Sequence, residues 1–262
     1  LRAAHLHQEE DQVLKVEQAC VNFGKREVLK GVDLPEPEPG TIVGLIGPNA
    51  AGKSTLVKAI AGIQKLTSGT CDTGGANVGY VPQDLLTSAS LTAFESVVIS
   101  AKRGSVNALE SAVQALEKLG IVHLAHRYVH QLSGGQRQLV AVAQMLAREP
   151  DLMLLDEPTS ALDLRHQVHL LDTLRKEVSR GAVALVAIHD LNLAARYCDE
   201  LVVLHGGRVH AHGTPAEVLN TELLGEVYGI HARVIDDEGV PMVCPVEASF
   251  GKLEPHEPTH SR

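Results

Sequence analysis

The sequence contains no tryptophan, and aromatic residues make up only 3% of its 262 residues. Proteins that bind single-stranded nucleic acid without sequence preference stack the bases on aromatic rings, so this composition argues against that function. The charge balance agrees, because 32 acidic and 23 basic side chains give a formal net charge of −9, whereas nucleic-acid-binding domains are usually basic. We therefore expect no nucleic-acid partner.

Long hydrophobic segments are also missing. The longest uninterrupted apolar run, residues 182–188, is far shorter than the roughly 20 residues that span a bilayer. The first five residues lack the apolar segment of a signal peptide, and residues 1–11 are expected to be a disordered extension. The four cysteines are scattered without a CxxC pair, which is typical of reduced thiols in the cytosol. We expect a cytosolic chain that does not itself cross a membrane.

Apolar runs alternate with helical patterns along the chain. Nearly continuous runs predict buried strands at residues 41–46, 151–156, 182–188 and 201–205. Helical spacing predicts helices at residues 53–61, 165–180 and 191–198. Two earlier apolar stretches predict strands at residues 14–21 and 28–34. The alternation indicates an α/β fold with a mainly parallel sheet.

Composition also suggests the domain organisation. Residues 67–78 are rich in Thr, Ser and Gly and are expected to form a loop. Residues 87–147 have a mostly helical pattern, which predicts a helical subdomain inserted into a domain that covers residues 12–230. A capping box at 214–217, with Pro215 at the first helical position, predicts a short helix. Beyond it the chain becomes polar and Pro-rich, and residues 231–262 are expected to be a C-terminal tail.

A phosphate-binding loop is the first chemical motif. Its sequence fits G-x-x-x-x-G-K-[ST] between a predicted strand and a predicted helix. Backbone N–H groups of such a loop surround phosphate oxygens, assisted by the helix dipole, while an ordinary Gly-rich turn is the alternative. Lys53 would reach the β- and γ-phosphates, and the Ser54 hydroxyl would bind Mg²⁺. The predicted nucleotide-binding residues here are Gly47, Pro48, Asn49, Ala50, Ala51, Gly52, Lys53, Ser54 and Thr55.

Two carboxylates, Asp156 and Glu157, end the apolar run that begins at Leu152. A buried strand that ends in two acids is costly unless they meet a cation or polar partners. Asp156 would hold Mg²⁺, directly or through water, and Glu157 would polarise the attacking water. Two solvated loop acids are the alternative interpretation.

A second anion-binding motif is formed by Ser133, Gly134, Gly135 and Gln136, which open a predicted helix. One chain does not need two such motifs for one triphosphate. Two copies arranged head to tail would use both, with the Ser133 loop of each chain closing over the Lys53 loop of the other. The motif therefore predicts a homodimer with shared nucleotide sites.

Together these three motifs resemble those of the ATP-binding subunits of ABC transporters, over about residues 12–230. The resemblance implies a P-loop NTPase core with an inserted helical subdomain and an N-terminal antiparallel β element. It also implies that Gln83 senses Mg²⁺ and water, that His189 contacts the γ-phosphate, and that Asp163 lies in a loop crossing the dimer interface. Phe23 lies where the family places an aromatic ring under adenine. Without the family context, a histidine at the end of a strand, such as His189, more often has a structural role. The alternative interpretation of Phe23 is a phenylalanine packed in the core.

The sequence departs from the family pattern at three points. Ala50 replaces a common glycine, which is tolerable if its φ is negative. Phe23 replaces the usual tyrosine but retains a stacking face. The span between Lys53 and Gln83 is about ten residues shorter than is usual for importers, which weakens inferences about the substrate.

The resemblance implies an ATPase that uses ATP and Mg²⁺, with Glu157, His189, Lys53 and Gln83 as catalytic residues and Ser54, Gln83 and Asp156 at the metal. It implies permease subunits as separate chains, a substrate-binding protein, and a peripheral location on the cytoplasmic face of the membrane. Residues 190–194 and 213–230 are similar to importers of siderophores, haem and cobalamin, whereas the short span after Lys53 is similar to molybdate-type relatives. Ferric siderophore uptake is favoured. A soluble ATPase of iron–sulfur cluster assembly is the alternative.

Fourteen histidines suggest a metal site, with His205, His210 and His212 as the densest group. Their neighbours lack convincing ligand spacing. An exposed hairpin around Gly206 and Gly207 is the favoured interpretation.

Overall fold

A computed structural model describes residues 13–85 and 90–248 of the chain. In these ranges the strands are Lys15–Phe23 (β1), Arg26–Val32 (β2), Ile42–Ile46 (β3), Ser68–Asp72 (β4), Val78–Val81 (β5), Leu152–Asp156 (β6), Val183–Ala187 (β7), Glu200–His205 (β8), Arg208–Gly213 (β9), Ile230–Asp237 (β10) and Val240–Ala248 (β11). The expected extension at residues 1–11 lies outside the described residues.

Eight α-helices belong to the same ranges. They are Lys53–Ile60 (α1), Ala93–Ala101 (α2), Ala108–Lys118 (α3), Gly134–Leu146 (α4), Leu164–Val178 (α5), Leu191–Tyr197 (α6), Pro215–Val218 (α7) and Thr221–Tyr228 (α8). Two short 3₁₀ turns precede α4, at Val122–Leu124 and Val129–Gln131. Among the described residues, none of the helices combines the length and the apolar character needed to cross a bilayer.

The central sheet has six strands in the order β5-β6-β7-β3-β8-β9. The first five are parallel to their neighbours, and β9 is antiparallel to β8. Every residue of β3, β6 and β7 is buried, as their nearly continuous apolar runs predict. The predicted α/β fold with a mainly parallel sheet is confirmed. Because the carboxyl ends of parallel strands meet at one edge, the segments after β3, β5, β6 and β7 lie side by side.

A separate antiparallel sheet, in the order β2-β1-β4, lies at the N-terminal end of the domain. It confirms the expected antiparallel β element, but the expected loop at residues 67–78 is wrong, since β4 lies within it. The strand was missed because its Ser, Gly and Thr side chains are mostly exposed and give no apolar alternation. Gly69 has a φ of +82°, and a Cβ there would come within 2.1 Å of the Gln18 carbonyl oxygen.

The helical subdomain contains α2, α3 and α4, inserted between β5 and β6. Capping boxes begin two of its helices, with Thr92 and Glu95 at α2 and Ser133 and Gln136 at α4. The subdomain is joined to α5 of the core by a largely buried ion pair, in which Lys118 Nζ lies 2.9 Å from Glu177 Oε1.

The C-terminal region contains a capped helix and a β hairpin. The predicted capping box of Thr214 and Glu217 is confirmed, and it begins α7. Within the expected tail at residues 231–262, β10 and β11 form an antiparallel hairpin that packs on α6 and α8. Its outer face is polar or exposed along most of β11, so its strands lack a strong apolar pattern. Residues 249–262 lie outside the described part of the chain.

Candidate active site

The loop between β3 and α1 is shaped for an anion. Gly52 is the N-cap residue of α1 with a φ of +110°, and no side chain in the described part of the chain caps this helix. The first N–H groups of α1 are therefore free to bind an anionic ligand. Gly47 has a φ of +143°, and a Cβ there would lie 2.1 Å from the Leu204 carbonyl oxygen. A side chain at either glycine would distort the loop.

Lys53 arches back over this loop. Its side chain is buried, and Nζ donates hydrogen bonds to the carbonyl oxygens of Gly47 at 2.7 Å and Pro48 at 3.1 Å. Burial lowers the pKa of Lys53 below its ordinary value, although the carboxylates of Glu157 and Asp156 oppose the shift. The ammonium group is thus held at the mouth of the loop, where a bound phosphate could replace the two carbonyl partners.

An open cavity of about 330 Å³ lies in front of the loop and is lined by residues 49–55 and Glu157. Phe23 forms part of its wall and is 53% exposed. The core interpretation of Phe23 is therefore wrong, and its ring face is available to a planar ligand.

Arg26 and Val28 also line this cavity, and the sequence reasoning missed both. The hairpin of β1 and β2 pairs Phe23 directly with Arg26. The sequence signal that could have revealed Arg26 is the tight turn at Gly24, because such a turn places the residues on either side of it opposite each other on paired strands. Arg26 brings a permanent positive charge to a site suited to phosphates.

The Asp156 carboxylate has an unsatisfied oxygen. Its Oδ1 accepts a hydrogen bond from Ser54 Oγ at 2.9 Å, while the buried Oδ2 has no partner among the described residues. Burial raises the pKa of Asp156, although the Ser54 hydrogen bond opposes the shift. A buried carboxylate oxygen beside a hydroxyl is a suitable ligand set for Mg²⁺, which binds few protein ligands and takes the rest from phosphates and water.

No group of three or more His, Cys, Asp and Glu side chains within the described residues could hold an ion. A metal bound by Ser54 and Asp156 would therefore depend on ligands from the nucleotide. The residues present fit such a magnesium ion and not a site made of protein ligands alone.

Three predicted catalytic residues meet at the carboxyl edge of the sheet. Gln83 Nε2 donates to Glu157 Oε2 at 2.8 Å, and His189 Nε2 lies 2.5 Å from Glu157 Oε1. Glu157 itself has a φ of +52°, and its N–H donates to the Ala187 carbonyl at 3.1 Å. A non-glycine residue in this conformation is strained and is usually held there by its surroundings, often at a functional site. The arrangement fixes one carboxylate beside the phosphate loop, where it could orient a water molecule.

The second anion-binding motif lies elsewhere. Among the described residues, those that line the cavity do not include Ser133, Gly134, Gly135 or Gln136. The Ser133 Oγ accepts from the Gln136 N–H at 3.2 Å, and the Gln136 side chain accepts from the Ser133 N–H at 3.1 Å.

The loop before α5 packs against this motif, since a Cβ on Gly135 would lie 2.7 Å from the Ala161 carbonyl oxygen. Asp163 caps α5 and accepts from the His166 N–H at 3.0 Å, which, with the His166 side chain, holds the pKa of Asp163 below its ordinary value. One chain therefore presents two separate groups of predicted site residues.

The dense histidine group lies on the β8–β9 hairpin, as the hairpin interpretation predicts. The rings of His205 and His210 meet edge to face at 5.8 Å. His210 Nε2 lies 3.4 Å from a carboxylate oxygen of Glu226 on α8.

Ala50 does not have the negative φ that would make its methyl group tolerable. Its φ is +63°, in the left-handed region that glycine adopts without steric cost. The reason is the sharp turn between Pro48 and Ala51, closed by a 3.3 Å hydrogen bond, which places residue 50 at a left-handed position.

This chain is similar to known proteins in sequence and in fold. A family model described as ABC transporter matches residues 30–160. The hemin import ATP-binding protein HmuV of Rhodopseudomonas palustris is 36% identical, over 93% of this chain and 98% of that protein. The ferric enterobactin transport ATP-binding protein FepC of Escherichia coli is 34% identical, over 89% of this chain and 94% of its own.

Solved structures give the same result. An inward-facing ABC transporter of the metal-chelate type superposes with a TM-score of 0.77 and 26% identity, over 90% of this chain and 97% of its own. The dimeric structure of the bacterial cassette MJ0796 gives a TM-score of 0.69 and 28% identity, over 77% and 98%. The fold and the site define an ATPase with a phosphate-binding loop. In particular, the chain belongs to the ABC transporter family, as an ATP-binding subunit.

Replacing Ala50 with glycine should stabilise the nucleotide-free protein. A left-handed alanine is strained, and its relief should exceed the added entropy of the unfolded chain by about 0.5–1 kcal/mol. Denaturant unfolding would measure this free-energy difference. Ala51→Gly is the matched control, because Ala51 is buried and its φ is not in the left-handed region, so the same substitution should destabilise. A less stable Ala50→Gly protein would refute the strain at Ala50.

Proposed function

We propose that the chain is a Mg²⁺-dependent ATPase that works as a two-fold dimer and drives a membrane transporter. The observation that carries this proposal is the Glu157 carboxylate, which is held between Gln83 and His189 beside the phosphate loop. A positioned carboxylate at this place suits a water-orienting group in phosphoryl transfer.

The phosphates of ATP bind the backbone N–H groups of residues 49–55, and adenine stacks on Phe23. Lys53 exchanges its carbonyl partners for phosphate oxygens. Ser54 and Asp156 hold Mg²⁺, with Gln83 as a further neighbour, and the ion neutralises phosphate charge when it is bound. The unsatisfied Asp156 oxygen supports this assignment, since a buried carboxylate without a partner is costly.

Hydrolysis follows from the arrangement around Glu157. Its carboxylate aligns a water molecule with the γ-phosphorus and accepts a hydrogen bond from that water. Lys53 and His189 stabilise the negative charge that develops on the transferring group. Gln83 and His189 also restrict the Glu157 side chain, so that little reorientation is needed when the nucleotide arrives.

Each catalytic site is completed by a second copy of the chain. The cavity of the same chain is not lined by Ser133, Gly134, Gly135 or Gln136, and the N-terminus of α4 suits a γ-phosphate presented by the partner. Asp163 begins α5 beside this motif and lies at the dimer interface. The dimeric MJ0796 cassette supports this arrangement.

The dimer acts at the cytoplasmic face of a membrane on separate permease chains, together with a substrate-binding protein. The cargo is an iron chelate, with a ferric siderophore favoured and haem as the related candidate. Support comes from relatives named as hemin and ferric enterobactin import proteins and from the metal-chelate transporter structure. These relatives favour transport over iron–sulfur cluster assembly.

The Glu157→Gln variant should bind ATP, accumulate as a dimer and hydrolyse at least about 100-fold more slowly, because an amide accepts a proton poorly. Hydrolysis assays and size-exclusion chromatography with ATP would measure both effects. Glu222→Gln, an exposed glutamate at the start of α8, is the matched control and should behave as the wild type. Near-normal turnover of Glu157→Gln would exclude Glu157 as the water-orienting group.

The Ser133→Arg variant should leave ATP binding to the monomer within about twofold of normal and reduce hydrolysis to background, because the new side chain blocks the partner's phosphates. Nucleotide titration and steady-state assays separate the two effects. Ser179→Arg at the C-terminal end of α5 introduces the same side chain away from the motif and should remain active. Full activity of Ser133→Arg would exclude the shared site.

If the chain drives transport, it should bind a membrane protein. The chain, purified with an affinity tag from membranes, should carry with it a permease with several spanning segments. Vesicles that contain the pair should accumulate ferric siderophore or haem only when ATP is present on the side of this subunit. Copurification with a soluble scaffold protein and no permease would instead favour cluster assembly.

A further inference from the structure

His189 is connected directly to α6. It lies between β7 and the N-cap residue Asp190, and the Asp190 carboxylate accepts hydrogen bonds from the N–H groups of Asn192 at 2.9 Å and Leu193 at 3.0 Å. The first turn of α6 therefore fixes the backbone that carries His189. A displacement of this turn would move the imidazole away from Glu157.

The side chain of Asn192 holds this turn against the C-terminal hairpin. Its Oδ1 accepts from the Val243 N–H at 2.8 Å, and its Nδ2 donates to the Val243 carbonyl at 3.3 Å. Two bonds to one residue fix both distance and direction, and Val243 itself is buried. Asparagine is a weak helix former, so helix propensity does not explain its presence in α6.

One further contact holds the same hairpin, and α8 lies beside the phosphate loop. Arg196, in the last turn of α6, pairs with Asp237 at the end of β10 through an Nη2–Oδ2 distance of 2.5 Å. The helix before the hairpin, α8, ends at Tyr228, whose buried hydroxyl lies near the Gly47 backbone without a well-formed hydrogen bond. The hairpin thus contacts α6, the helix after His189, while α8 lies beside Gly47, the first glycine of the phosphate loop.

We propose that Asn192 is a positioning residue for hydrolysis, and that it acts through α6 and Asp190 on His189. The C-terminal hairpin serves as the fixed surface against which the His189 segment is set. This inference rests on the proposed roles of His189 and Glu157. It gives the hairpin a function in catalysis that does not require contact with nucleotide, permease or cargo.

The test compares steady-state kinetics of three full-length variants. Asn192→Ala removes both bonds to Val243 and should lower kcat about 10-fold while KM for ATP stays within about twofold, since a misplaced catalytic group affects the chemical step more than nucleotide binding. Asn192→Asp keeps the shape and the bond from the Val243 N–H, and its kcat should lie between those of the wild type and Asn192→Ala. Arg196→Ala breaks only an exposed ion pair to the same hairpin and should leave kcat nearly unchanged.

A double variant separates positioning from general destabilisation. In single-turnover assays with enzyme in excess, Asn192→Ala should slow a His189→Ala protein by less than about twofold, because residues that act as a unit are not additive. An equal loss in both backgrounds would overturn the proposal. So would a normal kcat in both Asn192 variants, or an equal loss of kcat in Arg196→Ala.

Failure of this inference is distinguishable from failure of the proposed function. If Glu157→Gln hydrolyses ATP at the wild-type rate, the catalytic assignment fails, whatever Asn192 does. If Glu157→Gln is slow and Asn192→Ala is normal, the catalytic assignment stands and the positioning role of Asn192 is wrong.

Discussion

The parallel pairing of β5, β6, β7 and β3 is the constraint on which the rest of this molecule depends. Strands β3, β6 and β7 are buried throughout, and β5 is partly buried. Their carboxyl ends lie at one edge, so four segments distant in sequence deliver their polar side chains to one place. Asp156 is the clearest example, since it is the last residue of a fully buried strand and is itself completely buried. Burial of the apolar strands offsets the cost of its desolvated carboxylate. The fold thereby maintains a reactive, electrostatically unfavourable site without ligand.

Much of this architecture could be predicted from the sequence, because buried parallel strands leave a strong signal in runs such as Leu152–Asp156. The signal fails where strands are exposed. Strand β4 has almost no apolar side chains, and its place is determined by pairing with β1 rather than by its own composition. The C-terminal hairpin is similar, because its contacts with the domain include hydrogen bonds and an ion pair from Asn192 and Arg196, which lie on another element. Tertiary contacts of this kind are not visible in a local pattern.

The candidate site was also only partly predictable from the sequence. The sequence predicted the loop from the spacing of its glycines and lysine, and the two acids from their position at the end of a buried strand. It could not reveal that Glu157 is held by both Gln83 and His189, since these residues are far apart in the chain. It could not determine the φ of Ala50, because φ at one loop position depends on the whole turn. It also missed Arg26, which reaches the cavity through strand register. The kinds of residue at the site were therefore easier to predict from the sequence than their backbone conformations and contacts.

The incomplete surroundings of Asp156 have a consequence for the life of the protein in the cell. A ligand that binds only the folded state stabilises it by about 2.7 kcal/mol when its concentration is 100 times its Kd. Nucleotide and cation that satisfy the buried Asp156 oxygen would remove a cost that the empty protein bears. Subunits made in an energy-starved cell would then unfold more often and be degraded sooner than those in a well-fed one. The abundance of the transporter would follow the nucleotide supply, without a dedicated regulator.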